Sequence, residues 1–140
     1  MESLTSWCAA EGRAIEPYGL DLSERLVALA RARLPGWADR IATGNALTWT
    51  PSRRFDFVRT ELVYVPDHRR RELIERLLRE VVAPGGRLIV CGYGGGRRSE
   101  AGTQDVAAIL EGWGHRVAGE ARARDGAGRV ITRVAWLDLR

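Results

Sequence analysis

The sequence predicts an α/β fold: a mostly parallel sheet with helices on both faces and a carboxyl-terminal antiparallel hairpin. Strand-like runs alternate with helical periodicities along the 140 residues, giving the order α-β-α-β-β-α-β-α-β-β, and such alternation builds sheets wound on both faces. Residues 87–92 (RLIVCG) are almost continuously apolar, as in a strand buried on both sides within a parallel sheet. The last two strand-like runs meet around Asp125-Gly126, a turn pair suited to a hairpin.

Each element has a local reason. Residues 2–12 read as a helix with Leu4, Trp7 and Cys8 on one side and Gly12 as its stop. Residues 14–20 read as a strand, with Pro17 imposing an irregular start because it has no N–H to donate. Ser23 is a good N-cap, and Glu24 sits where the helix dipole favours an acid. The helix that follows, 24–34, places Leu26, Leu29 and Ala30 on one face and ends at Pro35-Gly36. A short strand at 41–46, a loop at 47–54 containing Trp49, and a strand at 55–58 come next.

Asp67 is placed to cap a helix over 68–82 whose apolar stripe is Leu73, Ile74, Leu77, Leu78, Val81 and Val82. Its outer face carries Glu72 with Arg76 and Glu75 with Arg79 at i, i+4, each pair worth a few tenths of a kcal/mol. Ala83-Pro84-Gly85-Gly86 breaks that helix before the strand at 87–92. Residues 92–102 read as a flexible loop, 103–113 as a helix, and 115–123 and 129–139 as the hairpin strands. The chain carries no repeats, linkers or low-complexity tracts.

A chain of 140 residues is one domain with room for a real core. It has no run of 18 apolar residues and no secretory signal pattern, which argues against a membrane partner. Cys8 and Cys91 stand apart without metal-site spacing, and His68 and His115 are distant from one another, so no metal centre is expected and a reducing cytoplasm is the expected location. The formal charge is +4, yet every one of the 22 basic residues is Arg, the bias of a GC-rich coding sequence. The arginines are dispersed and interleaved with glutamates, so no nucleic-acid partner is expected. The five tryptophans (Trp7, Trp37, Trp49, Trp113, Trp136) are read as packing residues rather than base-stacking platforms.

Chemistry concentrates at Tyr18-Gly19-Leu20-Asp21-Leu22-Ser23. An acid at the carboxyl end of a parallel strand can accept hydrogen bonds from both vicinal hydroxyls of a ribose, and that end of the sheet is where ligands sit in doubly wound folds. Asp-x-Ser ahead of a helix is also ordinary capping chemistry, and both readings stand.

Three strings decide between them: YGLDLSERLVALARARLP at 18–35, IATGNALTWTPSRRFDFVRTELVYVPD at 41–67 and RELIERLLREVVAPGGRLIVCGYG at 71–94. In this order they resemble the class I S-adenosylmethionine-dependent methyltransferases, across essentially the whole chain. The resemblance implies a Rossmann-like domain over residues 1–140 with S-adenosyl-L-methionine as cofactor. By position, Asp21 and Leu22 would meet the cofactor ribose. Asn45 and Ala46, in Gly44-Asn45-Ala46, would meet the adenine: Asn45 replaces the family's Asp and keeps an amide oxygen that accepts, without charge assistance. Arg59 and Thr60, at the carboxyl end of the strand opened by Phe55-Asp56, would lie nearest the reacting methyl. The resemblance names no catalytic base and no metal ligand.

One departure is large. No Gly-x-Gly-x-Gly precedes Asp21, and the strand that feeds that loop in the family is missing. The expectation is a chain truncated at its amino end, by a late start or as a remnant, which alone is marginally stable or self-associating and binds the cofactor weakly. Gly92-x-Gly94-Gly95-Gly96 lacks GxGxxG spacing and is read as a mobile loop beside the substrate pocket. The Asn/Asp-Pro-Pro-Tyr motif of amino-directed enzymes is absent, since that region reads Arg59-Thr60-Glu61-Leu62, which favours a small-molecule acceptor. The alternative function is a non-catalytic remnant or partner-binding module on the same scaffold. A third reading, a nucleic-acid binder, rests on the Arg excess alone.

Overall fold

A computed structural model describes residues 1–93 and 104–140. Gly94, Gly95, Gly96 and most of the expected loop, together with Thr103 at the start of the expected fourth helix, lie outside the described residues. The elements follow the expected order: α1 (Glu2–Ala10), β1 (Gly19–Asp21), α2 (Glu24–Arg33), β2 (Ile41–Thr43), β3 (Phe55–Glu61), α3 (Arg70–Arg76), β4 (Val82–Tyr93), α4 (Val106–Gly112), β5 (Gly119–Arg124) and β6 (Val130–Asp138). The strands divide into two sheets, a parallel β1–β2 pair and a four-stranded sheet in the order β3-β4-β6-β5. The chain forms two compact units, Met1–Trp49 and Thr50–Arg140, each with one of these sheets.

In the first unit, β1 is only three residues long, because the backbone through Pro17 takes no regular structure. Its register with β2 runs Gly19↔Ile41, Leu20↔Ala42 and Asp21↔Thr43, so the two strands end together. Arg31 ties α2 to β2: its Nε and Nη2 donate to the carbonyl of Ile41 at 2.9 and 2.6 Å. Ser23 caps α2 as expected, accepting from the Leu26 N–H at 3.3 Å. The buried face of α2 differs from expectation. Val27 is its buried residue, whereas Leu26 is 52% and Leu29 64% exposed. Leu4 and Trp7 of α1 are exposed as well, and α1 buries no residue.

In the second unit the expected stripe holds except at Leu78, which is half-buried, and at Val82, which is buried but opens β4 where the helix was expected to continue. Leu73, Ile74, Leu77, Val81 and Val82 are buried, the last turn winding as a π-helix over Leu77–Val81. Asp67 makes no cap hydrogen bond. It lies in a 3₁₀ turn, Asp67–Arg69, and its carboxylate pairs with Arg70 at 2.8 Å. Strand β3 continues three residues past Val58, through Arg59, Thr60 and Glu61. It pairs parallel to β4, whose Leu88 and Val90 face the core beside Ala135 and Leu137 of β6.

Residues 83–86 do not end an element. Strand β4 runs through them as a bulge, the register stepping from Phe55↔Val82 to Phe57↔Arg87. Gly85 adopts φ 77°, and a Cβ on Gly86 would stand 2.8 Å from the carbonyl oxygens of both Ala83 and Asp56. The bulge therefore requires these two glycines. The hairpin is antiparallel as expected, and its turn is held by Asp125, whose Oδ1 accepts from the N–H groups of Ala127 and Arg129, both at 2.9 Å.

Candidate functional site

Four of the six expected cofactor residues meet at one end of the first unit. Because β1 and β2 end in register, Asp21 and the Gly44-Asn45 step emerge side by side at the carboxyl ends of two parallel strands, joined by the Gly44 N–H donating to the Asp21 carbonyl at 2.9 Å. That is the end of a parallel sheet where ligands sit. Asp21 closes a small turn, its Oδ1 accepting from the Ser23 N–H at 2.8 Å. The carboxylate is exposed, and its Oδ2 takes no hydrogen bond among the described residues. Leu22 follows as an exposed side chain.

Asn45 closes a similar turn. Its Oδ1 accepts from the Leu47 N–H at 2.9 Å, and its carbonyl accepts from Thr48 and Trp49 at 2.9 and 2.7 Å. The loop after β2 is thereby fixed, with Leu47 buried beneath it. Gly44 is required by this packing: a Cβ there would come within 2.8 Å of the Trp49 ring and 3.1 Å of Leu20. The N–H of Ala46 has no acceptor among the described residues. The ensemble offers a spare carboxylate oxygen, a spare amide and a spare backbone donor.

The other two expected residues belong to the second unit and part company. Side chains alternate across a strand, so Arg59 and Glu61 share one face of β3 while Thr60 points to the other. Thr60 is 4% exposed and packed in the core, which removes it as a surface ligand contact. Arg59 stands at the carboxyl end of β3 within a cluster that sequence reasoning did not find. Its Nη2 donates to Glu61 Oε1 at 2.8 Å and to the Tyr93 hydroxyl at 2.7 Å, with the guanidinium carbon 5.7 Å from the centre of the Tyr93 ring. The Tyr64 hydroxyl donates to the same Glu61 oxygen at 2.8 Å. Partial burial works against the charge of Arg59, but its hydrogen bonds to Tyr93 and Glu61 hold the guanidinium above its ordinary range. The Tyr64 hydroxyl is pushed up by burial and by its bond to Glu61.

A cleft of about 660 Å³ opens at the opposite, amino end of β3, beside Asp56, Arg87 and Asp138. Arg87 and Asp138 face each other there in a two-pronged ion pair at 2.6 and 3.0 Å, so their charges are already spent on each other. Among the described residues no group of three or more His, Cys, Asp or Glu could hold a metal ion, and no helix is long and apolar enough to cross a membrane.

Comparison with known proteins places this geometry in context. A trans-aconitate 2-methyltransferase from Methylobacterium radiotolerans is 41% identical over 88 residues, a match covering 61% of this chain and 32% of that protein. The chain thus spans about a third of the length of that curated relative. Among solved structures, the N-methyltransferase NodS of Bradyrhizobium japonicum, in complex with S-adenosyl-L-homocysteine, superposes with a TM-score of 0.64 at 16% identity, covering 86% of this chain and 64% of that one. The glycopeptide N-methyltransferase MtfA gives 0.65 at 16% identity over 96% and 94%. A solved structure from Pseudomonas syringae gives 0.65 at 21% identity over 97% and 80%. No family model matches the chain. The fold is that of the S-adenosylmethionine-dependent methyltransferases, mixed α/β with parallel strands, as the sequence predicts.

Proposed function

We propose that this chain, with the fold of the S-adenosylmethionine-dependent methyltransferases and similar in sequence to one of them, binds S-adenosyl-L-methionine at the joint carboxyl end of β1 and β2 and serves methyl transfer to a small-molecule acceptor. The observation that carries the reading is the register Asp21↔Thr43, which sets the expected ribose acid beside the expected adenine segment. The groups left over match that ligand. Asp21 Oδ2 is free to accept from a ribose hydroxyl, and the Asn45 side-chain N–H groups and the Ala46 N–H are free to donate to adenine ring nitrogens, the Asn45 oxygen being held by the Leu47 N–H.

The cofactor, when bound, supplies an electrophilic methyl on a sulfonium. The chain supplies position: two tight turns fix Asp21 and Asn45 before any ligand arrives, so little ordering is required on binding. The neighbours solved with bound cofactor or its product support this ligand, and the curated relative, named for transfer to trans-aconitate, supports a small acceptor. A soluble, cytoplasmic setting without membrane or nucleic-acid partners fits the same reading. A second reading, a non-catalytic partner-binding module on this scaffold, is favoured by one observation, the division of the strands into a two-stranded and a four-stranded sheet.

The test is calorimetric titration with adenosine and with 2′,3′-dideoxyadenosine. Tighter binding of adenosine supports the ribose contact at Asp21. Equal binding, or none of either, contradicts it and leaves the partner-binding reading.

The charge distribution yields a separate expectation. Many of the arginines are committed to acids, as in Arg71–Glu75, Arg76–Glu80, Arg87–Asp138, Arg129–Asp125 and Arg133–Asp105. Duplex DNA or RNA is therefore expected to bind only at the salt-sensitive background, with Kd about 10⁻⁴–10⁻⁶ M at physiological salt. A nanomolar, sequence-selective gel shift would overturn the discounting of the positive charge.

A further inference from the structure

The turn after β2 decides what Asn45 can offer a ligand. Its Oδ1 accepts from the Leu47 N–H at 2.9 Å, and Leu47 is buried. An amide rotated the other way would aim its NH2 at that N–H, setting two donors face to face and leaving a buried residue's backbone unsatisfied. The oxygen therefore faces the turn and the NH2 faces away from it, on a residue that is exposed.

The backbone around Asn45 is committed in the same way. The N–H groups of Thr48 and Trp49 bond to the Asn45 carbonyl and that of Gly44 to Asp21, while the N–H of Ala46 keeps no acceptor among the described residues. The groups proposed to meet the base, the Asn45 NH2 and the Ala46 N–H, are thus donors. Donors pair with the ring nitrogens of a purine, which carry lone pairs. They do not pair with an exocyclic amine, which presents N–H groups of its own. A carboxylate in place of Asn45 would differ, because with one oxygen on Leu47 the second could accept from that amine. Asn45 has one oxygen, and an amine would have to share it with Leu47 beside the amide's own N–H groups.

We infer that this site takes the purine of its ligand through ring nitrogens and does not read the exocyclic amine, with Asn45 as the residue that sets this selectivity. Nucleosides that lack the amine, or carry an acceptor in its place, are then ligands of the same site. The inference rests on the proposed nucleoside site and concerns only which bases it admits.

The test is NMR titration of the whole chain with three nucleosides, followed at the Ala46 backbone N–H so that weak binding also registers. They are adenosine, purine riboside, which lacks the amine, and 6-methoxypurine riboside, which places an acceptor there. In wild type, purine riboside is expected to bind within twofold of adenosine, and 6-methoxypurine riboside no more weakly than adenosine. Asn45→Asp keeps an oxygen for the Leu47 N–H and adds one for the amine, so it should bind adenosine at least fivefold tighter than either analogue. Each ratio is taken within one protein, so a general weakening from a disturbed turn cancels. A wild-type preference for adenosine over purine riboside of fivefold or more overturns the inference, as does an unchanged ratio in Asn45→Asp. Both of those results leave the nucleoside site standing. Binding of none of the three by wild type overturns the proposed function and this inference with it.

Discussion

Replacing Leu88 by Ala is expected to destabilise the fold by about 2–5 kcal/mol, the range for emptying a leucine site in a packed core. Leu88 is fully buried on β4, between β3 and β6 in the four-stranded sheet. The loss comprises the transfer free energy of the missing methyl groups and the void that neighbouring side chains cannot fill. Against a total stability of about 5–15 kcal/mol, that is a large fraction. Leu26→Ala provides the contrast, since Leu26 is exposed on α2 and its truncation should stay within about 0.5 kcal/mol. Urea unfolding of both variants checks the pair. A Leu26 loss as large as that of Leu88 would restore the helix face expected from periodicity and contradict the one found.

Asp21→Ala is expected to weaken S-adenosylmethionine binding by about 1.5–3 kcal/mol, the scale for lost hydrogen bonds to a charged group. Part of that effect would come from the turn, because Oδ1 also accepts from the Ser23 N–H. Asp21→Asn separates the contributions. It keeps an oxygen for the turn and removes the charge, so an affinity between those of wild type and Asp21→Ala is the expected order. Unchanged affinity in Asp21→Ala, read by equilibrium titration, would remove Asp21 from the cofactor assignment.

How far the sequence speaks for itself differs from element to element. The stripe of α3 and the apolar run of β4 were legible because burial on one helix face and burial inside a sheet leave different periodicities. Strand β1 reads too long because Pro17 and its neighbours are compatible with extended backbone yet lack the ladder that defines a strand. Strand β3 reads too short because Arg59, Thr60 and Glu61 hide a strand behind polar side chains. Periodicity misassigns α2, since Leu26 and Leu29 mark a face that is more than half exposed, while Val27 is the buried residue.

At the candidate site, Asp21 and Asn45 were both readable from local patterns, and the β1–β2 register supplied their adjacency. The separation of Arg59 from Thr60 follows from strand alternation once β3 is known to continue through both. The partnership of Arg59 with Tyr93 was not legible, because 34 residues separate them and only the pairing of β3 with β4 brings them together.

The central claim, that the carboxyl end of the β1–β2 pair is a nucleoside site, is tested most directly by titrating S-adenosylmethionine into the ¹⁵N-labelled chain. NMR detects weak as well as tight binding. The account predicts saturable shifts of the Leu22 and Ala46 backbone N–H signals and of the Asn45 side-chain amide, reduced together in Asp21→Ala. Shifts confined to other residues, or none at saturating cofactor, would contradict it.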